Sequence, residues 1–309
     1  MTESDEGARP TRVIFNPTAG GKRLAANRLD ADGVRELFAR HGLPVEVCAS
    51  ESADDAVRLA KEAVERGDST VVAAGGDGTI GTVARAVLDT DVALGILPMG
   101  TVMNVPRMLE LPRELDPAAD VIAGGATRLI DVGEANGTIF FETVSVGISA
   151  AMFREADKFE KGDYLTLLRA VRMAFRYRPG RMMISLDDGR TIHTRALMVT
   201  IANGPYMGLG MTVAPAAKLD DGKFDVRVFR HFSKFELFRH LLSIAFGRRE
   251  YAPHVLTERS SAVEIEGRRP LPVRADSRAL GSTPLAARVR PKALKVIVPV
   301  AESAAARDG

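Results

Sequence analysis

Gly75-Gly76-Asp77-Gly78-Thr79 is the stretch of this chain whose residue types and spacing best suit chemistry. It follows the apolar run Val71-Val72-Ala73-Ala74 and precedes Ile80-Gly81-Thr82-Val83-Ala84-Arg85-Ala86-Val87-Leu88, which reads as the start of a helix. Glycines between a strand and a helix let the backbone approach an anion closely, and the first N–H groups of the helix point at it. An aspartate in the same turn repels a bare phosphate. Asp77 therefore calls for a bound cation, or for a hydroxyl that must be oriented or deprotonated beside a phosphoryl group. Alone, these five residues also fit a plain tight turn.

The surrounding pattern supplies elements to hold that turn. Arg12-Val13-Ile14-Phe15-Asn16-Pro17 reads as a short strand entering a turn, and helical spacing of Leu29, Val34, Leu37 and Phe38 runs to about His41, with Gly42 as its stop. Val45 to Cys48 is a second strand and Ala53 to Arg66 a second helix, with Asp54 and Asp55 at its positive end. The strand before the glycine turn comes third, and Ala93 to Pro98 fourth, running into Met99-Gly100-Thr101-Val102-Met103-Asn104. Strands alternating with helices predict an α/β domain, a mainly parallel sheet with helices on both faces and ligands at the C-terminal ends of the strands.

From about Leu129 the texture changes to short apolar or β-branched runs, among them 138–144, 182–186, 197–201, 224–229, 262–266, 271–275 and 294–298. Several alternate with period two, which predicts a β-sandwich-like domain. Helical stretches at about Tyr164 to Tyr177 and Lys234 to Phe246 interrupt it. The expected division is an unstructured 1–10, an α/β domain over 11–128, a β-sandwich domain over 129–299 and a flexible tail over 300–309.

Composition narrows the function classes. The chain has 309 residues, 46% hydrophobic and 27% charged, which is ordinary for a globular protein of two domains. Lys and Arg total 42 against 40 Asp and Glu, a balance that argues against a dedicated nucleic-acid binder. The lone Cys48 excludes an intrachain disulfide and fits a cytoplasmic location. No apolar run reaches the roughly 18 residues of a spanning helix, so any membrane contact is expected to be peripheral. The five histidines are scattered without ligand spacing, which speaks against a zinc site.

Four ordered segments, Asn16-Pro17-Thr18-Ala19-Gly20, the turn Gly75 to Thr79, Leu97-Pro98-Met99-Gly100-Thr101, and Ala214 to Asp225, resemble the diacylglycerol-kinase catalytic family. The bacterial soluble lipid kinases are the nearest in look. The resemblance runs over about residues 12 to 299. It implies a nucleotide-binding α/β domain followed by a β-sandwich domain, with ATP, Mg²⁺ and a lipid substrate at a membrane surface as partners. A homodimer is left open. By the same resemblance, Asn16 and Gly20 lie near the nucleotide phosphates. Gly75, Gly76, Asp77, Gly78, Thr79, Ile80 and Gly81 form the phosphate loop, and Ser50 and Thr101 touch the nucleotide. Asp221 matches a structural magnesium ligand, with the carbonyls of Lys218 and Lys223 as co-ligands, an oxygen set that suits a hard cation.

Two positions depart from the family. Its late Asp-Gly-Glu segment aligns with Asp276-Ser277-Arg278, so the glutamate often assigned as proton acceptor is Arg278, which cannot serve as one. Asp276 or Asp77 must then accept the proton, or catalysis is weak. The family's Gly-Asn-Asp is Val102-Met103-Asn104, placing an amide where a carboxylate could contact a lipid head group.

Plainer readings stand beside these. Leu219-Asp220-Asp221-Gly222 and Asp276-Ser277 both fit hairpin tips. The basic amphipathic stretch at 164–177 suits a bilayer surface or an ordinary core contact. Met207, Met211 and Asn203-Gly204-Pro205 could line a lipid entry or a core loop. Two other activities remain: a nucleotide-binding protein that has lost catalysis through Arg278, and an NAD kinase, which shares the glycine turn. Val144-Ser145-Val146-Gly147 lacks the Asn-Glu pair usual in the latter.

Overall fold

The computed structural model describes residues 10–17, 29–151, 172, 176–208, 210–230, 235–236 and 255–300. The chain forms two compact units that divide at 130/131 and again at 291/292. Residues 129–130 and 292–299, read from sequence as part of the second domain, therefore belong to the first. The Gly20 assignment and nearly all of both helical stretches at 164–177 and 234–246 fall outside the described residues.

The first unit alternates strands and helices. In order come β1 (Thr11–Phe15), α1 (Ala31–Arg40), β2 (Val45–Ala49), α2 (Ala53–Arg66), β3 (Thr70–Gly75), α3 (Asp77–Ala86), β4 (Ala93–Pro98), α4 (Asn104–Met108) and α5 (Leu115–Gly124). Strand β2 pairs with β1, β1 with β3 and β3 with β4, all parallel. Residues of β3 and β4 are buried almost throughout, as expected of a parallel sheet covered on both faces. Helix α1 starts where the Asp30 carboxylate accepts the Gly33 N–H at 2.8 Å, and it buries Val34, Leu37 and Phe38. Helix α2 starts at Ser52, whose hydroxyl accepts from Asp55 N–H at 3.1 Å while the Asp55 carboxylate accepts from Glu51 N–H at 3.0 Å, a reciprocal cap. Helix α3 starts at Asp77, a turn earlier than the apolar pattern suggests, with the extended Gly76 at its boundary.

Strand β5 (Thr127–Ala135) leads into the second unit. There follow β6 (Thr138–Phe140), β7 (Thr143–Gly147), β8 (Gly180–Leu186), β9 (Thr191–Ala202), β10 (Tyr206–Met207), β11 (Met211–Thr212), β12 (Phe224–Arg230), β13 (Val255–Ser260), β14 (Ala262–Gly267), β15 (Pro272–Ala275), β16 (Arg278–Ser282) and β17 (Leu285–Ile297). Within this unit the pairing is antiparallel. The long β9 pairs with β8 through its first half and with β7 and β12 through its second. Alternate residues converge on one core that includes Val144, Val146, Ile184, Val199, Ile201, Val226, Ile265 and Val273. This is the C-terminal β-sandwich domain. The C-terminal part of β17 returns to the first unit, where Val296 lies parallel to Leu94 of β4. A parallel strand supplied from the far end of the chain leaves no local pattern, which is why the sequence boundary missed it.

Candidate functional site

The candidate residues of the first unit gather at the C-terminal ends of its parallel strands. Asn16 follows β1, Ser50 follows β2, Gly75 ends β3, and Met99-Gly100-Thr101 follows β4. Three backbone bonds align these ends: Asn16 N–H to Ala74 O at 3.0 Å, Ser50 N–H to Phe15 O at 2.8 Å and Met99 N–H to Gly75 O at 2.9 Å. The Asn16 amide Nδ2 donates to Thr79 Oγ1 at 3.0 Å, tying β1 to the first turn of α3. Ser50 Oγ donates to Phe15 O at 3.3 Å and keeps its lone pairs.

Two glycines make the turns fit. A Cβ on Gly75 would lie 2.6 Å from the Thr79 side chain, and one on Gly100 would lie 2.7 Å from the Gly76 Cα. The turns after β3 and β4 therefore meet backbone to backbone. Gly76 offers no side-chain cap to α3. Among the described residues no side chain caps the first N–H groups of that ten-residue helix, whose positive end suits an anion.

Asp77 faces the next turn. Its Oδ2 accepts from Asn104 N–H and its Oδ1 from Val105 N–H, each at 3.1 Å. The carboxylate thereby caps the short α4, which the sequence showed only as a turn, and each oxygen retains one lone pair. Asn104 is buried. Met103 sits at φ 59°, a left-handed conformation that asparagine adopts more readily than methionine. Its sulfur accepts from Gly100 N–H at 3.2 Å, and Arg113 donates to Thr101 O at 3.2 Å.

The second unit holds the other two groups of candidates. Asp276 lies in the tight turn between β15 and β16 at φ 45°. Its Oδ2 accepts from Phe141 N–H at 2.9 Å, and its Oδ1 from Glu142 and Thr143 N–H at 2.9 and 3.1 Å. The buried Arg274 closes the turn from beneath by donating to the carbonyls of Asp276 and Ser277. So Asp276 organises the entry to β7. It also fixes Glu142, a carboxylate only 9% exposed whose carbonyl accepts from Asn203 and Gly204 N–H. Glu142 went unnoticed in the sequence. Its signal is a charged residue inside the apolar run Thr138 to Val144. Asn203 is buried too, its amide donating to the carbonyls of Asp131 and Phe141. Met207 packs with Ile148, Leu197, Met198 and Phe229, and Met211 lies against that cluster. Arg278 is exposed on β16.

Asp221 occupies the turn before β12 together with Lys218 and Lys223. Its Oδ1 accepts from Lys223 N–H at 3.1 Å and its Oδ2 pairs with the Arg259 guanidinium. Asp131 Oδ2 accepts from Gly222 N–H at 2.7 Å. Burial raises the Asp225 carboxyl above the ordinary aspartate range, Asp221 adds to the rise, and Arg259 opposes it. Among the described residues no three His, Cys, Asp or Glu side chains converge on a common point. Each Asp221 oxygen has one protein partner in this turn. Arg259 supplies the positive charge a cation would bring.

Both parts of the chain match known families. Residues 10–135 match the diacylglycerol kinase catalytic domain, and residues 142–298 match the YegS C-terminal NAD kinase beta sandwich-like domain. A diacylglycerol kinase of Bacillus subtilis (strain 168) is 28% identical over 260 residues, 82% of this chain and 84% of its own. One from Staphylococcus aureus (strain JH9) is 28% identical over 279 residues, covering 88% and 87%. The crystal structure of a diacylglycerol kinase from Bacillus anthracis str. Sterne superposes with a TM-score of 0.73 at 20% identity, over 95% of this chain and 98% of that one. That last likeness speaks to the fold.

Proposed function

We propose, from the premise that this chain belongs to the diacylglycerol kinase catalytic family of lipid kinases, that it transfers the γ-phosphoryl group of ATP to a hydroxyl of a diacylglycerol-like or ceramide-like lipid. The observation that carries this reading is the uncapped N-terminus of α3, set between the Asn16–Thr79 bond and the Gly76–Gly100 contact. Such a cradle suits the charged oxygens of a polyphosphate. Thr101 and Ser50 border it.

In the proposed transfer the lipid oxygen forms a bond to the γ-phosphorus as the bond to the bridging oxygen of ADP breaks, and the hydroxyl proton passes to a carboxylate. Mg²⁺ entering with the nucleotide offsets phosphate charge. Asp77 retains acceptor capacity beside the cradle and suits orienting or deprotonating the incoming hydroxyl. Such help is typically worth about 10²–10⁴ in rate. Asp276 already accepts three N–H groups, so its part is to hold the 141–143 segment and Glu142 rather than to take the proton directly. The burial of Asn104 favours a role in shaping the turn over contact with a head group. The acceptor lipid places the working enzyme at a membrane surface. No helix among the described residues is long and apolar enough to cross one.

The test is incubation with radiolabelled ATP, Mg²⁺ and detergent-dispersed diacylglycerol, ceramide, sphingosine and monoacylglycerol, followed by separation of the organic phase. Label in one lipid is the expected result. Nucleotide binding with no labelled lipid would favour a protein that has lost transfer through Arg278.

A further inference from the structure

We propose that the outer face of β8, β9 and β14 is a docking surface for the phosphate groups of an anionic lipid bilayer, held by Arg181, Arg195 and Arg268. The proposal rests on the lipid-kinase reading, whose acceptor resides in a bilayer.

Strand alternation creates the surface. Met182, Ile184 and Leu186 of β8 enter the core, which turns Arg181 and Met183 outward. Arg181 stands directly opposite Arg195 of β9, and Met183 opposite His193 on one side and Glu266 of β14 on the other. Arg268 N–H donates to Arg181 O at 3.0 Å, so a third arginine joins the same row. Together these residues line an open groove of about 520 Å³.

Like charges directly opposite one another in a sheet are destabilising. Two other exposed arginines of the second unit have carboxylate partners, Arg190 with Asp188 and Glu258, and Arg288 with Glu134. No carboxylate pairs with Arg181, Arg195 or Arg268 among the described residues, and the only bond from these guanidinium groups is Arg195 Nε to Pro179 O at 3.4 Å. Three arginines therefore stand in one row with Glu266 as the one carboxylate among the residues lining the groove, on a chain whose net charge is only +2. A partner that supplies negative charge would relieve the repulsion, and the arginine fork matches phosphate oxygens. An open, shallow face suits many phosphates presented in a plane better than one free anion, which is held by donors converging in an enclosed pocket. The small net charge disfavours nucleic acid.

The full chain is sedimented with phosphatidylcholine vesicles with and without phosphatidylglycerol. Binding should require phosphatidylglycerol and weaken steeply with salt. The variant Arg181→Gln/Arg195→Gln/Arg268→Gln should bind about 100-fold more weakly. Glu266→Gln should bind more tightly, and Arg35→Gln/Arg40→Gln in the first unit should bind like the parent. Turnover of detergent-dispersed lipid by the triple variant should stay at the parent level. Parent-like vesicle binding by the triple variant would overturn the proposal. So would saturable binding of inorganic phosphate at this face, or a change in oligomeric state showing that a second copy covers it. Arginine-dependent vesicle binding by a chain that labels no lipid would leave docking standing and remove the kinase reading.

Discussion

Asn16 and Thr79, 63 residues apart, are joined by a 3.0 Å bond from the asparagine amide to the threonine hydroxyl. The bond sets the first turn of α3 against the end of β1, so the N–H groups at that turn have a fixed direction. Replacing Asn16 with Ala removes the donor without touching the buried strand. With a net hydrogen bond worth about 1 kcal/mol, the KM for ATP should rise about five- to tenfold. Thr79→Val should give the same rise, and the double variant should be little worse than either. Steady-state kinetics with varied ATP checks this, and additive losses would contradict a shared bond.

Gly100 gives a sharper steric test. A Cβ there meets the Gly76 backbone at 2.7 Å, whereas a Cβ on Gly124, the last residue of α5, meets nothing within 4 Å. Gly100→Ala must push apart the two turns that frame the proposed phosphate site, and a displacement of about 1 Å at such a site can cost about 10²-fold in rate. Gly124→Ala should leave turnover unchanged and melt no earlier than the parent. Lipid phosphorylation and melting of the two variants, measured side by side, separate a local from a global effect.

The sequence made the alternating first unit legible because its strands are short apolar runs and its helices carry wide apolar faces, as with Val34, Leu37 and Phe38. Helix α5 escaped notice because two of its three buried positions, Ala118 and Ala119, are alanines that give little hydrophobic contrast, the third being Ile122. The nucleotide-side candidates could be read because Asn16, Gly75, Gly100 and their neighbours each follow a strand end. Partners such as Asp77 with Asn104, or Asp276 with Phe141, cannot be read from spacing. They depend on backbone N–H groups brought together across 27 and 135 residues.

Arg259 should govern how the second unit responds to divalent cations. It pairs with Asp221 and holds down the Asp225 carboxyl that burial raises. Arg259→Met removes the partner of Asp221 and leaves Arg227 alone to oppose the rise at Asp225, so the variant should melt lower. Millimolar Mg²⁺ should restore part of the loss in the variant and change the parent little, because binding to the folded state alone stabilises it. Thermal melts with Mg²⁺ and with a chelator decide the matter. Equal Mg²⁺ dependence in parent and variant would mean that the cation does not act at this turn.

Asp187 sets a contrasting acid dependence. Bonds from Lys223 Nζ and from the Ser261 hydroxyl and N–H, with Ser260 adding another, pull its carboxyl below the ordinary aspartate value. A folded-state value below the unfolded one gives stability that is present above the ordinary range and fades as pH falls through it. Asp225, raised by burial, has the opposite sign: its contribution declines as pH rises through its folded value. Asp187→Asn should therefore melt lower than the parent at pH 7, by about 2–4 °C for each kcal/mol lost. The gap should close on acidification below the ordinary aspartate range. A gap constant with pH would remove the carboxylate charge as its cause.

Asp276→Asn tests whether this carboxylate works by position or by proton transfer. Both of its oxygens face N–H donors, and an asparagine must turn an NH₂ group toward at least one of them. A buried donor left unsatisfied costs about 1–3 kcal/mol, so the variant should lose stability as well as activity. Asp77→Asn loses only one of two N–H acceptors, those serving Asn104 and Val105, and should lose turnover with a smaller change in melting. The pH profile of kcat divides the roles. If Asp77 accepts the proton, the acid limb of the profile survives in Asp276→Asn at a lower plateau and disappears in Asp77→Asn. The reverse pattern would hand the proton to Asp276 and leave Asp77 as the cap of α4. Survival of the acid limb in both variants would shift attention to Glu142, the buried carboxylate whose N–H Asp276 holds, with Glu142→Gln as the deciding measurement.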